Sequence, residues 1–360
     1  MVRKWLKDTN WSLVVAMTAL SIIGIIFIRS ASYRDPAEYD VKQMVWASAG
    51  LVVFFLVPFV GYRRLLSVSY LLYVISLVLL VWVMVAGHTR LGAQRWIGIG
   101  PIIIQPSEFA KIATIMTLAN FLGSHHSWEK KNSIILIALV LAFVPQILIM
   151  RQPDLGSSLL FVPMVIVLLF LWGIPYRYMI GAAVLGLSAV PILWSILKEY
   201  QKKRILVFLN PNLDPLGAGY TALQSKIAVG SGGLFGKGLL HGTQSQLQFV
   251  PEHHTDFIFC VLGEEWGYLG AALLLFCYAA LFNAIFEVIG QTTDQRAKLL
   301  AAGILTVLFS QVMINVGMSI GLLPITGLTL PLISYGGSSF IMTALALGLV
   351  LSIHKERSIF

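Results

Sequence analysis

Apolar runs long enough to cross a lipid bilayer recur along almost the whole chain, and this recurrence dictates the fold class. About 20 apolar residues in a helix span the hydrocarbon core. Inside lipid no water is available to satisfy backbone polar groups, so such runs fold as helices that bond to themselves. The runs predict helices over 11–29, 43–60, 65–86, 105–122, 133–150, 155–172, 178–197, 257–285, 299–320 and 334–353. Of the residues, 58% are hydrophobic and only 11% charged, against about 25% charged in a soluble domain. The expectation is an all-α polytopic membrane protein of about ten transmembrane helices. It forms a single membrane domain over 1–360, with no soluble domain large enough to fold alone.

Arg3, Lys4 and Lys7 precede the first run, and Ser30-Ala31-Ser32 has the look of a signal-peptidase site. The run from Trp11 to Ile28 is too long for a signal-peptide core, however, and it ends at Arg29, so it reads as a retained first helix.

The net charge of +9 is distributed by side. Short segments on the N-terminal side hold twelve basic residues: Arg3, Lys4, Lys7, Arg63, Arg64, Lys130, Lys131, Arg177, Arg296, Lys298, Lys355 and Arg357. Opposite short segments hold six: Arg29, Arg34, Lys42, Arg90, Arg95 and Arg151. The positive-inside rule then places both termini in the cytoplasm. The excess charge is topological. No basic stripe with interleaved aromatics is present, so no nucleic-acid partner is expected. Cys260 and Cys277 lie in one apolar run, about 25 Å apart along a helix, too far for a disulfide.

One connection is long. Residues 198–256 make an outer loop of 59 residues, and loops of that length inside compact proteins are usually functional or disordered. Leu216, Tyr220, Leu223 and Ile227 fall at helical spacing within it, predicting an amphipathic helix on the membrane surface. The glycine-rich stretch Gly230 to Gly238 reads as a flexible turn with amides free to approach a ligand. It lacks the spacing of a nucleotide-binding loop.

Ionisable residues at membrane depth are functional candidates by default. Glu108 and Lys111 share one helix face just after Pro106, as a structural ion pair or as part of a polar cavity for an anionic or sugar-bearing substrate. Asp154, in the turn Arg151 to Gly156, can cap the next helix or touch substrate. The stretch Pro251 to Phe259 brings Glu252, His253, His254, Thr255 and Asp256 to a membrane boundary. An aspartate there is partly desolvated and its pKa rises toward the range of a general base; the bland alternative is a helix N-cap by Thr255 or Asp256. Adjacent histidines point to different faces, and the set has no recognised zinc spacing. Glu264 and Glu265 follow on the same predicted helix, Glu264 about 12 Å from Asp256 along the axis. Lys111 and arginines of other helices are their expected partners. The segment Pro324 to Ser338, apolar but broken by Pro and Gly, suits the wall of a groove.

These segments, together with Asp214 to Tyr220 and Gln224 to Ala228, occur in the order and form of the SEDS (shape, elongation, division and sporulation) family, over about residues 11–355. The run Gly242 to Leu247 is similar to the elongation branch rather than the division branch. The resemblance implies a peptidoglycan glycosyltransferase of the bacterial cytoplasmic membrane that polymerises lipid II on the outer face and releases undecaprenyl diphosphate. It implies a class B penicillin-binding protein (transpeptidase) as partner, along with other elongation-complex membrane proteins. By the same resemblance Asp256 matches the family's proposed catalytic base, and Glu108, Lys111, Asp154, Lys226, His254 and Thr255 are expected to meet substrate. A pyrophosphate leaving group also calls for cations: Lys111, arginines or a divalent ion such as Mg or Mn. A flippase of the same lipid-linked precursor and a noncatalytic scaffold are the rival readings.

Overall fold

The computed structural model describes residues 9–33, 38–90, 93–99, 102–125, 131–188, 191, 194–195, 197 and 199–357. The topological charges Arg3, Lys4, Lys7, Arg34 and Lys130, and much of the end of the predicted 178–197 helix, lie outside the described residues.

The chain is an all-α polytopic membrane protein. In order it runs through α1 (Trp11–Ala31), α2 (Tyr39–Val60), the short α3 (Tyr62–Ser67) and α4 (Ser69–Ala86). An antiparallel meander follows, β1 (His88–Arg90), β2 (Ala93–Ile99) and β3 (Ile102–Ile104), with Trp96 opposite His88 and Ile97 opposite Ile104. Then come α5 (Pro106–Ser124), α6 (Lys131–Arg151), α7 (Leu155–Leu159), α8 (Phe161–Trp172) and α9 (Tyr176–Ser188). The long loop carries α10 (Glu199–Leu209), α11 (Ala218–Ser231) and α12 (Thr243–Gln246), before α13 (Ile258–Gln291), α14 (Gln295–Ser319) and α15 (Gly337–Arg357). Among the described residues, 8 helices are long and apolar enough to span a bilayer, with α7 and α8 counted as one.

The helix α5 adds a span that hydropathy alone understates. It carries Glu108, Lys111, Thr114 and Thr117, all buried, because it packs against α4, α6, α8, α14 and α15 rather than lipid. Polar side chains face a bundle interior where they find partners, while apolar ones face lipid. The neighbouring α4 shows the same inversion: it buries Ser69 and Ser76 and turns Val78, Trp82 and Val85 outward. Small residues bring backbones close, and Gly303 of α14 meets Ile115 of α5 where a side chain would clash. The meander is a non-helical feature that the apolar runs did not predict. It lies between α4 and α5 and carries Arg95.

The helix α13 is broken at Gly267 (φ 63°, ψ −156°). The glycine-rich segment after α11 fills the gap: the Lys237 and Gly238 amides donate to the Glu264 and Glu265 carbonyls at 3.0 and 2.9 Å. In return the Tyr268 and Leu269 amides donate to the Gly233 and Leu234 carbonyls at 2.9 and 3.1 Å. A Cβ on Gly232, Gly236 or Gly267 would strike the opposite backbone. The expectation of free amides facing a ligand is therefore corrected. Several of these amides and carbonyls satisfy a helix that would otherwise leave its own groups unpaired.

Candidate functional site

The helix α13 starts only at Ile258, with Phe257 at its cap position and no side-chain cap. Neither Thr255 nor Asp256 acts as the N-cap, and Asp256 sits outside the helix in a turn, not on one helical face with Glu264 as the spacing suggested. That turn is held from several sides. Asn315 of α14 donates to the Asp256 carbonyl at 2.8 Å and to the Leu328 carbonyl at 2.6 Å. Ser334 Oγ donates to the Thr255 carbonyl at 2.6 Å, and the Tyr335 amide to the His254 carbonyl at 3.0 Å. The backbone is fixed while the Asp256 carboxylate accepts no hydrogen bond from the described residues.

The carboxylate is half-buried and keeps an open side. Burial, first, and then the charge of Glu252 push its pKa up to about 7; Asp154 adds to the push, while Arg95 and Arg204 oppose it. Opposite stands Gly327 (φ +77°), where a Cβ would lie 3.2 Å from Asp256 Oδ2. A glycine there leaves the hollow open and accepts a backbone angle that other residues resist.

Asp154 caps the next helix, the first of the two roles expected for it. Its Oδ1 accepts from the Ser157 amide at 3.1 Å and caps α7, while Oδ2 accepts from Gln105 Nε2 at 3.2 Å. Arg95 of β2 lies 3.7 Å from Asp154 and donates to the Gln152 and Pro153 carbonyls. Gln105 and Ser338 tie the entrance of α5 to that of α15, the Gln105 amide donating to Ser338 Oγ at 3.2 Å.

Glu108 and Lys111 form a buried ion pair at 2.8 Å, with side chains 7% and 3% exposed. Lys111 also reaches Gln311 Oε1 at 3.5 Å, and Gln311 Nε2 donates to the Thr329 carbonyl at 3.0 Å. The pair lines a narrow groove between α5, α14 and α15 whose walls include Ile112, Ile304 and Met342. A contiguous chain of contacts thus runs from Asp256 through Asn315, Leu328, Thr329 and Gln311 to the pair.

The other predicted residues lie apart. The His254 ring stacks on Tyr39, centroids 4.6 Å apart, and Thr255 Oγ1 donates to Glu252 Oε2 at 3.0 Å, so both sit in the scaffold of the turn. Lys226 lies in a second groove with Arg204. Glu264 is paired neither with Lys111 nor with an arginine, as had been expected. Its carboxylate accepts from Lys237 at 2.8 Å, Thr243 Oγ1 at 3.2 Å, the Gln244 amide at 2.8 Å, and the Ser245 amide and Oγ at 3.0 Å. Glu265 accepts from Ser30 Oγ at 2.5 Å. Both acids join the loop and α1 to α13; neither faces the Asp256 hollow. Among the described residues no three His, Cys, Asp or Glu side chains converge as metal ligands.

Arg95, Arg204, Gln311, Asn315 and Gly327 escaped sequence reasoning. Gln311 and Asn315 had a readable signal, since two amides spaced i, i+4 in an apolar helix mark a polar seam.

Known proteins with this sequence pattern and this fold exist. A family model described as "Cell cycle protein", covering FtsW, RodA and SpoVE, matches residues 10–359. The peptidoglycan glycosyltransferase MrdB of Escherichia coli (strain K12) is 41% identical over 98% of this chain and 96% of that protein. A chain of a structure concerning the structural coordination of polymerization and crosslinking by a peptidoglycan synthase complex superposes with TM-score 0.85, at 34% identity, covering 97% of this chain and 98% of that one. The crystal structure of the rod shape determining protein RodA of Thermus thermophilus gives TM-score 0.73 at 33% identity, covering 97% of each chain.

Proposed function

The chain belongs to the FtsW, RodA and SpoVE family of multi-pass membrane proteins, and from that premise we propose that Asp256 is the base of its glycosyl transfer. The protein is a peptidoglycan glycosyltransferase acting in cell elongation, located in the bacterial cytoplasmic membrane. The substrate is lipid II. A sugar hydroxyl of one lipid-linked unit attacks the anomeric carbon of another, and the Asp256 carboxylate takes the hydroxyl proton. The observation that carries this role is a carboxylate whose backbone is held, which accepts no hydrogen bond from the described residues, is raised to about 7, and lies beside the open space at Gly327. A base with a pKa near the working pH transfers protons most effectively.

Both termini lie in the cytoplasm, which puts Asp256 on the outer face; the basic-residue asymmetry supports this orientation. Leu223 and Ile227 of α11 point outward with Tyr220 half-buried beside them, while Gly219, Ser225 and Ala228 pack inward; Leu216 of the expected stripe is exposed but precedes the helix, which starts at Ala218. That outward stripe supports a helix lying on the lipid headgroups. A class B penicillin-binding protein that crosslinks the strands is the partner, supported by the likeness to a chain of a peptidoglycan synthase complex; other membrane proteins of the elongation machinery complete the assembly. A divalent cation such as Mg or Mn, where bound, would supply positive charge to the leaving diphosphate; among the described residues no three His, Cys, Asp or Glu side chains converge to hold one.

A flippase would need a polar path across the whole bilayer. Beyond Lys111, the polar side chains of α5 are consumed in helix contacts: Thr114 donates to the Ala110 carbonyl, Thr117 to Ser69 and Asn120 to Leu66. Purified protein, alone and with its partner, is incubated with lipid II and the products are resolved by size. Glycan polymer is the expected outcome. Flipping without polymer would establish the transporter, and neither activity would leave a scaffold.

A further inference from the structure

We propose that the groove between α10, α11 and the Pro324–Gly327 segment binds the diphosphate of the donor lipid, leaving the Glu108–Lys111 groove to the acceptor. This assignment rests on the polymerase reading above. Glycosyl transfer has two lipid-linked partners whose demands differ. The acceptor presents a neutral hydroxyl and keeps its own diphosphate bond intact, so no charge develops on its phosphates. The donor breaks its bond between the anomeric carbon and a phosphate oxygen; that electron pair stays on the oxygen, and the undecaprenyl diphosphate gains a negative charge as it leaves. The donor site therefore needs net positive charge close to the base.

The two grooves differ in that respect. In the first, Lys111 is neutralised by Glu108 at 2.8 Å, so the pair is poorly suited to a diphosphate but offers hydrogen bonds to sugar hydroxyls. The second holds Arg204 and Lys226 among its lining residues and no carboxylate. Arg204 donates to the Thr326 carbonyl at 3.4 Å, next to Gly327, whose other side faces Asp256 Oδ2. Its guanidinium is close enough to act electrostatically on Asp256. The Lys226 stem crosses Gly321 (φ +75°), where any Cβ would collide with it, so the groove is shaped to seat that side chain. Phe208, Leu323, Pro324 and Ile325 supply an apolar wall for the first prenyl units. Arginine and lysine at one end with an apolar wall beyond match the chemistry of a polyprenyl diphosphate.

The test uses the full-length protein in nanodiscs and undecaprenyl diphosphate as the probe, with undecaprenyl monophosphate and undecaprenol as comparisons. Affinity falls from diphosphate to monophosphate to alcohol. Arg204→Gln and Lys226→Gln each weaken diphosphate binding roughly tenfold, the scale of one charge-assisted hydrogen bond. Arg204→Lys restores part of the loss, which a merely misfolded groove would not. Lys111→Gln leaves diphosphate affinity unchanged. A photoreactive undecaprenyl diphosphate analogue on the unmutated protein crosslinks within residues 204–226 or 318–325. Crosslinks confined to 105–115, or loss of binding in Lys111→Gln with the Arg204 and Lys226 variants intact, would overturn the assignment. A wild-type protein that binds diphosphate in this groove yet makes no polymer would sink the polymerase reading and leave the site standing.

Discussion

Glu264 and Asp256 stand eight positions apart at the same end of α13, yet Glu264 accepts five hydrogen bonds and the Asp256 carboxylate accepts none among the described residues. Glu264 is fully buried and consumed: it clamps the backbone of α12 and the Lys237 ammonium onto the broken helix. Among the described residues Asp256 is held by its backbone, its carbonyl accepting from Asn315. Both are carboxylates, Asp256 in the turn before the helix and Glu264 within it. What separates them is how many donors the surrounding loops bring, so one acid stabilises the fold and the other keeps its lone pairs for a substrate.

The sharpest break in that comparison is Asp256→Asn. Because no protein donor is lost, the variant inserts and folds, while polymerisation drops by about a thousandfold or more, at the upper range for a removed general base. Gel analysis of polymer from purified protein measures it. Substantial polymer from a well-folded variant would remove Asp256 from the role.

The reciprocal change, Glu264→Gln, acts on stability. It converts a buried charged acceptor of five bonds into a neutral one and strands Lys237, which should cost about 3 kcal/mol. A lowered melting temperature and faster proteolysis within residues 230–250 report it, with catalysis per folded molecule preserved. A variant of unchanged stability would show that the clamp is idle.

Much of this division was hidden in the sequence. The spans were legible because lipid forces each apolar run into a self-satisfied helix, and α5 was legible from its own run although Glu108 and Lys111 stand in its first turns. Asp256 was found from its place at a boundary. The partners were not. Trp266-Gly267-Tyr268 reads as a tolerated glycine in a long helix, so nothing announced the break that the glycine-rich loop fills. Without the break, Glu264 was given Lys111 as partner in place of Lys237. Arg95 was counted only as a topological charge, since the short strand carrying it returns to Asp154 through a fold that no local pattern encodes. Gln311 and Asn315 were passed over because only ionisable residues were sought.

A smaller perturbation tests the hollow rather than the base. Gly327→Ala places a Cβ 3.2 Å from Asp256 Oδ2 and strains a backbone at φ +77°. The carboxylate must shift, and misplacement of a catalytic group by about 1 Å lowers rates by up to about a hundredfold. The expected result is a fall in kcat of about tenfold to a hundredfold, with the pH profile still governed by Asp256. Full activity in this variant would mean that the hollow facing Gly327 is not where the reacting hydroxyl sits.

The smallest effect lies in the pH dependence of stability, and it carries a definite sign. Folding raises the Asp256 pKa from 3.8 to about 7, so the folded state holds its proton more tightly than the unfolded chain. Stability is therefore greatest below pH 4 as far as this group is concerned, and it is lost as pH rises through 7. The Asp256→Asn variant lacks the penalty, so it should melt above the wild type at pH 8, by an amount on the order of 2 kcal/mol once the water reaching its open side is allowed for. At pH 5 the gap should be smaller, because both chains are then largely uncharged at this position. Wild-type activity should rise over the same interval in which its stability falls, since the form that destabilises the fold is the one that accepts the proton. Melting curves that differ equally at both pH values would mean that the carboxylate is ordinary, and its readiness as a base would then have to come from the substrate.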